Sequence, residues 1–300
     1  MRPLRTRLQE ARSRLGVPWY VLERDYLLSS VLAGIAHVPV LQEKLVFKGG
    51  TALKKCYFGD YRFSEDLDFS ALEGVPTGAA LDALVGEACR AAERLLDEYA
   101  PVRLMHERYE ERQPHPAGQE AFNVRAQFPW QPGPQTRVMI EVTMDERVLR
   151  PPEERPIIHD YEEPLGAAVR AYSLEEIVAE KLRAILQQAA ARRERGWSRS
   201  RARDHYDLWR VLGSYGGRMD LTGFDALLRE KCAARGVAFE GPEDFLREEM
   251  LDDVARTWQQ SLGPLVPGLP PFDVIIDDLR PRIEALLRPM LGADESASRE

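Results

Sequence analysis

Residues 47–72, with the sequence FKGGTALKKCYFGDYRFSEDLDFSAL, constrain the possible fold more than any other part of the chain. Asp66 and Asp68 alternate there with Leu67 and Phe69, and this period of two predicts a β-strand. Side chains of a strand point alternately to its two faces, so both carboxylates share one face while the apolar pair enters the core. The run therefore predicts a strand that carries two acidic groups side by side.

The two aspartates are candidate ligands of a divalent metal ion. Carboxylates close together repel each other, and burying either alone is costly. Mg²⁺ removes that conflict, because it takes hard oxygen ligands and commonly binds one or two carboxylates together with substrate phosphates. The alternative is a polar strand end that faces solvent.

A third acidic ligand is predicted on a neighbouring strand. In the run VMIEVTM, Val138, Ile140 and Val142 share one face and leave Glu141 on the other. A glutamate within a β-branched run goes against strand propensity. Glu141 is therefore either an additional metal ligand or a side chain that faces water.

The turn KGGT, at Lys48, Gly49, Gly50 and Thr51, is a candidate phosphate-binding turn. It follows the strand-like run KLVF and opens a predicted helix, so its backbone N–H groups and the helix dipole can attract an anion. Glycine permits close approach of a phosphate, and Thr51 can add a hydroxyl group or cap the helix. The turn does not fit the P-loop pattern, and a glycine pair by itself often marks an ordinary turn.

Composition excludes several classes of protein. The 41 basic and 49 acidic residues give a formal charge of −8, which argues against a basic protein that coats nucleic acid. The three cysteines lie far apart, as in a reduced chain without a disulfide framework. The first residues lack a signal-peptide core, and the most apolar run is too short to span a bilayer. We therefore expect a soluble cytoplasmic protein without a membrane partner.

The pattern of elements changes about half-way along the chain. Strand runs and helices occupy the first half, a proline-rich acidic stretch is a candidate linker, and helical periodicity dominates beyond it. The predicted fold class is α/β (α+β), with a small mixed sheet followed by a mainly α-helical C-terminal domain. The predicted boundaries are an N-terminal helical segment at 1–40, the α/β core at 41–163, the helical domain at 164–291 and a disordered tail at 292–300.

Charged residues interrupt two apolar stripes of the helical half. Lys181 lies at the rim of the stripe of EEIVAEKLRAIL, either as a lysine that snorkels at the core edge or as a charge that meets a phosphate. Only six of the 41 basic residues are lysines, which favours the second interpretation. In RARDHYDL, Asp204 and Asp207 continue an apolar stripe, where charge is unusual. Aspartates also favour the first turn of a helix, which is the alternative.

The run ARRERGWSRSRARD between these helices is a candidate RNA-binding patch. It contains six arginines around one tryptophan, and clustered arginines with an aromatic ring suit an RNA backbone and a stacked base. A flexible charged loop is the alternative. The candidate RNA contacts are Arg193, Arg195, Trp197, Arg199 and Arg201.

The order of these motifs resembles one family. GGT followed by RFSEDLDF, EEIVAEKLRAIL and RARDHYDL is similar to the AbiEii/AbiGii branch of the polymerase-β-like nucleotidyltransferase superfamily, which includes MenT-like toxins of type IV toxin–antitoxin systems. The resemblance implies that Asp66, Asp68, Lys181 and Asp204 are catalytic, with Mg²⁺ (or Mn²⁺) on the first two. The third acid of the superfamily is often aspartate, and Glu141, on a strand without a matching motif, is our candidate for that additional ligand. The implied NTP-binding residues are Lys48, Gly49, Gly50, Thr51, Arg62, Ser64 and Lys181.

The implied activity is transfer of a nucleoside monophosphate from an NTP to RNA, most typically the 3′ end of tRNA, which blocks translation. A cognate antitoxin encoded nearby is the implied protein partner. Two other functions stay open, because one fold serves many acceptors. They are an enzyme that nucleotidylates a protein or a small molecule, and a catalytically silent module that binds nucleotide or RNA.

Overall fold

The computed structural model describes residues 2–109, 118–196 and 200–297, with side chains up to residue 287. The chain divides into two compact units. The first contains the chain up to Ser173 together with Leu265–Pro267, and the second contains Leu174–Pro264 and the chain from Gly268 onward. The predicted order of an α/β half and a helical half is confirmed, and the finer boundaries near residues 40, 163 and 291 stay predictions.

Within the described residues, a seven-stranded mixed sheet forms the centre of the first unit. Its strands are β1 (Leu45–Lys48), β2 (Asp66–Ala71), β3 (Arg103–Arg108), β4 (Gln119–Gln127), β5 (Thr136–Thr143), β6 (Glu153–Pro156) and β7 (Ala168–Ala171). Their order across the sheet is β3-β4-β5-β2-β1-β7-β6. Strand β2 pairs antiparallel with β1 and parallel with β5. Strands β4 and β5 pair antiparallel along most of their length.

Helices cover this sheet and connect its strands. They are α1 (Leu4–Leu15), α2 (Trp19–Ala36), α3 (Pro39–Lys44), α4 (Gly49–Ala52), which continues as a π-helical turn (Leu53–Tyr57), and α5 (Ala79–Asp97). Helix α2 packs against α5 and against the sheet, and most of its side chains are buried. Its close approach to α5 requires Gly34, because a Cβ there would lie 2.2 Å from the carbonyl oxygen of Ala88.

The apolar residues of β2 enter the core as its alternation predicts. Leu67 is fully buried, and Phe69 packs against Phe47 of β1 with ring centroids 5.1 Å apart. Asp66 and Asp68, on the opposite face, are half-buried. Apolar packing on one face of β2 therefore holds the two carboxylates on the other.

The second unit is helical in its described residues. Its helices are α6 (Leu174–Arg195), α7 (Ala202–Tyr215), α8 (Phe224–Ala233), α9 (Glu248–Leu262) and α10 (Phe272–Ala297). Helix α6 packs against α7 and α8, and α7 also packs against α9 and α10. Over the described ranges of both units, none of the helices has the length and apolarity that crossing a bilayer requires.

Candidate active site

The glycine turn joins β1 to α4 beside Asp68. Gly49 has φ +78°, in the left-handed region that glycine adopts readily. A Cβ added to Gly49 would lie 2.6 Å from Asp68 Oδ2, so the Asp68 carboxylate would have to turn away from the position it has beside the turn. The Thr51 hydroxyl donates to the carbonyl oxygen of Asp66 at 2.6 Å. The turn is therefore fixed against the strand that carries both aspartates.

Strand register brings three acidic residues together. Asp68 of β2 is paired with Lys48 of β1 and with Glu141 of β5, and Asp66 is paired with Met139. Paired residues of neighbouring strands project from the same face, on strands about 4.8 Å apart. The structure thus places Glu141 beside the aspartate pair, and we call Asp66, Asp68 and Glu141 the strand acids.

The strand acids suit a divalent cation of the Mg²⁺ type. Among the described residues, no three His, Cys, Asp or Glu side chains converge closely enough to hold a metal ion by themselves. Mg²⁺ needs only one or two carboxylates, since water and substrate phosphates complete its coordination. Two aspartates on one face, with a glutamate on the adjacent strand, provide hard oxygen ligands, and the glycine turn lies against Asp68.

Lys48 connects β1 to the end of β5. Its ammonium group donates to Thr143 Oγ1 and to Glu146 Oε2, each at 3.2 Å, and its side chain is buried. It also lies over the Tyr172 ring, 6.0 Å from the centroid. A cation held beside carboxylates reduces their mutual repulsion. Thr143 and Glu146, which hold Lys48 in place, are not indicated by any sequence motif.

Arg62 and Ser64 shape the segment that leads into β2. Arg62 Nη1 donates to the Phe63 carbonyl oxygen and to Ser64 Oγ, each at 3.2 Å. Both side chains are buried. They lie four and two residues before Asp66, so their contacts define the approach of the chain to the first strand acid.

In the second unit, Lys181 lies between two aspartates. Its ammonium group is 3.0 Å from Asp204 Oδ1 and 2.6 Å from Asp207 Oδ2. Lys181 is 7 % exposed and Asp207 is fully buried. Asp207 therefore helps to fix the lysine, whereas the family resemblance suggests that it orients neighbours such as Arg203. We call Lys181, Asp204 and Asp207 the lysine cluster.

The charges around Asp204 keep it ionised. Burial by itself would raise the pKa of Asp204, but the positive charges of Lys181 and Arg201 outweigh this effect and hold the pKa well below its ordinary value. Arg201 Nη1 lies 3.3 Å from Asp204 Oδ2. Lys181 and Arg201 together thus place two positive charges against the two aspartates of the lysine cluster.

Comparison with known families identifies the chain. The model of the family described as "Nucleotidyl transferase AbiEii toxin, Type IV TA system" matches residues 30–288. The chain belongs to the AbiEii nucleotidyltransferase toxin family. Its fold is similar to that of MenT4, a nucleotidyltransferase toxin from Mycobacterium tuberculosis H37Rv, with a TM-score of 0.59 and 22% sequence identity, covering 89% of this chain and 84% of that chain. No curated protein sequence matches the chain.

Membership of the AbiEii family confirms the resemblance carried by the four motifs. The protein is a nucleotidyltransferase toxin of a toxin–antitoxin system, and the family implies a cognate antitoxin. Nucleotidyltransferases in general use an NTP and a divalent metal ion. The strand acids and the glycine turn are the features of this AbiEii chain that suit those two ligands.

The arginine patch of the AbiEii chain is described in part. Trp197 and Arg199 lie outside the described residues. Arg193 and Arg195, at the end of α6, are exposed. Arg201 contacts Asp204 and Gln188, so it belongs with the lysine cluster. Among the described residues of the patch, Arg193 and Arg195 are therefore the exposed arginines that an RNA could contact.

Two buried lysines were not recognised as candidate site residues from the sequence. Lys54 and Lys55 follow the glycine turn and are 3 % and 1 % exposed. A signal was present, because two of the six lysines of the chain lie next to each other within the apolar run TALKKCYF. Their partners lie far away in the sequence and could not be deduced from it.

A cavity of about 330 Å³ lies beside α1 and has none of the candidate site residues in its wall. Arg2 in this wall pairs with Glu10 and Glu162, and Arg7 pairs with the buried Glu163. Much of the charge around the cavity is therefore compensated internally. Its lining residues are Arg2, Arg7, Glu10, Ala11, Arg14, Asp160, Tyr161 and Glu162.

Proposed function

We propose that this AbiEii-family toxin transfers a nucleoside monophosphate from an NTP to RNA, at the 3′ end of tRNA, in a Mg²⁺- or Mn²⁺-dependent reaction that blocks translation in the cytoplasm. The observation that carries the proposal is the strand register that sets the strand acids on one face, next to the Gly49 turn. Family membership supports nucleotidyl transfer as the chemistry.

The transfer forms one bond and breaks one. A hydroxyl oxygen of the acceptor attacks the α-phosphorus of the NTP, and the bond from that phosphorus to the bridging oxygen of pyrophosphate breaks. Pyrophosphate leaves and the hydroxyl proton is released. There is little covalent chemistry for the protein to perform, so positioning and charge stabilisation dominate.

The strand acids and the turn supply the positions that the reaction requires. Asp66 and Asp68 would hold the cation, with Glu141 as an additional ligand. A cation bound there would neutralise phosphate charge and align the attacking oxygen. The backbone N–H groups of Gly49 and Gly50 would bind phosphate oxygens, and Lys48 adds a positive charge beside them.

We propose that Lys181 and Asp204 are also required for transfer. Lys181 is fixed by two carboxylates, and a preorganised cation stabilises developing negative charge without having to reorganise. Asp204 fixes Lys181 from one side and Asp207 from the other. Arg62 and Ser64 would act on the NTP site through the position of Asp66.

RNA as the acceptor is supported by the exposed end of α6. Arg193 and Arg195 are exposed there on a chain whose formal charge is −8. Such a local basic patch directs an RNA backbone to one place on an otherwise acidic protein. Trp197 and Arg199 complete the proposed patch, because an aromatic ring can stack on an unpaired base.

The test combines one enzyme with four nucleotides. The protein is incubated with Mg²⁺, total tRNA and each α-labelled NTP in turn, beside Asp66→Ala. The matched control is Asp97→Ala, which removes an exposed aspartate of α5. We expect label on RNA with one or two of the NTPs, loss of labelling in Asp66→Ala, and normal labelling in the control.

The other outcomes separate the alternatives. Label on protein or on a small molecule would overturn RNA as the acceptor and keep the reaction class. NTP binding without any transfer would indicate a silent binding module. Equal labelling by Asp66→Ala and by the wild type would contradict the assignment of the strand acids.

A further inference from the structure

The helical segment after the glycine turn contains an irregularity. Helix α4 continues directly into the π-helical turn at Leu53–Tyr57, where the Phe58 N–H donates to the carbonyl oxygen of Leu53 at 2.8 Å. Such turns widen a helix, and they occur frequently at functional sites. Here the widened turn carries Lys54 and Lys55 into the interior, where both are almost completely buried.

Lys55 fixes the far end of the segment to two other elements. Its ammonium group lies 2.8 Å from Asp25 Oδ1 on α2, and both side chains are 1 % exposed. The Tyr161 hydroxyl donates to Asp25 Oδ2 at 3.2 Å. The Ile158 N–H donates to the backbone carbonyl oxygen of Lys55 at 2.7 Å. The segment is therefore tied to α2 and to the chain around residues 158–161.

Lys54 adds contacts on another side of the same turn. Its ammonium group donates to the Gly59 carbonyl oxygen at 3.1 Å and lies 3.3 Å from Asp160 Oδ2. It also lies 4.5 Å from the centroid of the Phe63 ring. Both lysines are thus shielded from solvent, and their ammonium groups contact other parts of the protein.

The near end of the segment is fixed at β2. Gly49 lies against the Asp68 carboxylate, and Thr51 is hydrogen-bonded to the Asp66 carbonyl oxygen. The segment from Gly49 to Tyr57 is therefore held at the strand acids by one end and at α2 by the other. Its orientation sets where the backbone N–H groups of the turn lie relative to the carboxylates.

A buried ion pair is a poor way to gain stability alone. Removing two charges from water is costly, and apolar residues of similar volume often stabilise a fold as well or better. Burial by itself would raise the pKa of Asp25, but the charges of Lys55 and Lys54 outweigh it and lower that pKa. Asp25 is therefore ionised at neutral pH, and its charge attracts the Lys55 ammonium group 2.8 Å away on the segment.

We propose that Lys55 and Asp25 are positioning residues for the NTP-binding turn. The pair fixes the orientation of the segment, so that Gly49 and Gly50 meet the phosphates while Asp66 and Asp68 meet the cation. This inference rests on the function proposed above. Loss of the pair would leave the backbone N–H groups of the turn less firmly held where the phosphates bind, and ordering them would then cost part of the binding free energy, so NTP binding is weakened.

The test compares two buried lysines changed in the same way. Lys231 of α8 is 2 % exposed and lies 2.8 Å from Glu176, so Lys231→Gln is the matched control for Lys55→Gln. We expect both substitutions to lower the thermal midpoint. With Lys55→Gln we also expect the KM for the NTP to rise about tenfold with kcat within about threefold of wild type, the pattern of lost ground-state binding. The KM of Lys231→Gln should stay within about twofold of wild type.

Two further variants keep the test decisive if Lys55→Gln does not fold. Asp25→Asn acts from a different element and should raise the KM similarly. In Asp25→Asn/Lys55→Gln, a neutral amide pair replaces the ions and should recover part of the lost affinity. Kinetics are measured well below the thermal midpoint of each variant, so that unfolded protein does not contribute.

The outcomes distinguish the positioning role from the proposed function. A wild-type enzyme that transfers nucleotide, with Lys55→Gln and Asp25→Asn less stable but unchanged in KM, would overturn the positioning role alone. An equal rise of KM in Lys231→Gln would overturn it as well, because the effect would then follow general destabilisation. A wild-type protein that binds none of the four NTPs would overturn the proposed function, and the positioning role with it.

Discussion

The strand acids of the first unit and the lysine cluster of the second unit place acidic side chains in opposite surroundings. Asp66, Asp68 and Glu141 are half-buried and lie next to one another on two parallel strands. In the lysine cluster, Lys181 lies between its two aspartates, and Arg201 adds a second positive charge. The first region sets three carboxylates side by side on neighbouring strands, whereas the second sets a lysine between two aspartates.

We propose that this difference separates residues that bind a ligand from residues that also hold the fold together. Like charges on one face are stabilised when a cation arrives, so the strand acids should matter for activity more than for stability. A buried pair that loses one partner leaves an uncompensated charge, so the lysine cluster should matter for stability as well as for activity. Each of the following changes tests one side of this contrast.

The largest effect is expected when one strand acid loses its charge. We expect Asp68→Asn to reduce nucleotidyl transfer by at least about 10²-fold, because a lost metal ligand weakens the stabilisation of the transition state. The free energy of unfolding without metal should change by less than about 1 kcal/mol, since the side chain is half-buried and keeps its shape. Transfer assays and urea denaturation measure the two quantities. A loss of stability parallel to the loss of activity would place Asp68 in the fold and not in the site.

In the lysine cluster, the larger effect should be on stability. Asp207→Asn leaves Lys181 with one buried carboxylate partner fewer and should lower the free energy of unfolding by about 3 kcal/mol. The control is Asp225→Asn, which breaks the ion pair between Asp225 and Arg229, two half-exposed side chains of α8. This change should lower the free energy of unfolding by less than about 1 kcal/mol. Urea denaturation measures both changes. Equal losses of unfolding free energy in the two variants would show that the buried ion pair contributes no more to stability than the exposed one.

The glycine turn gives a smaller effect with a matched control. Gly49 and Gly16 both have positive φ, but an added Cβ meets Asp68 Oδ2 at Gly49 and meets nothing within 4 Å at Gly16. Each change to alanine should cost about 1–2 kcal/mol of stability. We expect a weaker affinity for NTP, measured by calorimetry, in Gly49→Ala alone. Equal NTP affinity in Gly49→Ala and Gly16→Ala would show that the glycine turn does not take part in nucleotide binding.

The effect of pH on the lysine cluster should be the smallest and should occur in acid. Because the pKa of Asp204 is lowered in the folded state, its ion pair contributes fully above the unfolded pKa of about 3.9. That contribution is lost as the pH falls toward the lower folded pKa. The difference in unfolding free energy between wild type and Asp204→Asn should therefore be constant from pH 7 to about 5 and shrink below about 4. A difference that changes between pH 7 and 5 would contradict this assignment.

The sequence predicts the parts of this molecule that depend on local periodicity. The alternation of Leu67 and Phe69 with two aspartates fixes which face of β2 is buried, and packing against Phe47 confirms it. Glu141 was predicted on a neighbouring strand, but its pairing with Asp68 depends on a register between strands more than 60 residues apart. A motif indicates that such a residue exists, whereas the register decides what lies beside it.

Contacts between distant segments could not be read from the sequence. Asp25 and Lys55 lie on a helix and a π-helical turn that meet in the folded chain, and no periodicity connects their positions. Lys181 and Asp207 were each conspicuous as charged residues near apolar stripes, but their contact depends on how α6 packs against α7. Composition therefore shows that a charge is unusual, and tertiary packing shows what compensates it.

The most direct test of the strand acids is the effect of Mg²⁺ on NTP affinity. Calorimetric titrations of wild type, Asp68→Asn and the exposed-site control Asp97→Asn are compared in Mg²⁺ and in EDTA, with the NTP that supports transfer. We predict that Mg²⁺ strengthens binding by at least about tenfold in the wild type and the control, equivalent to about 1.4 kcal/mol, and has little effect in Asp68→Asn. The same Mg²⁺ dependence in all three proteins would contradict the assignment of Asp68 to the metal–nucleotide site.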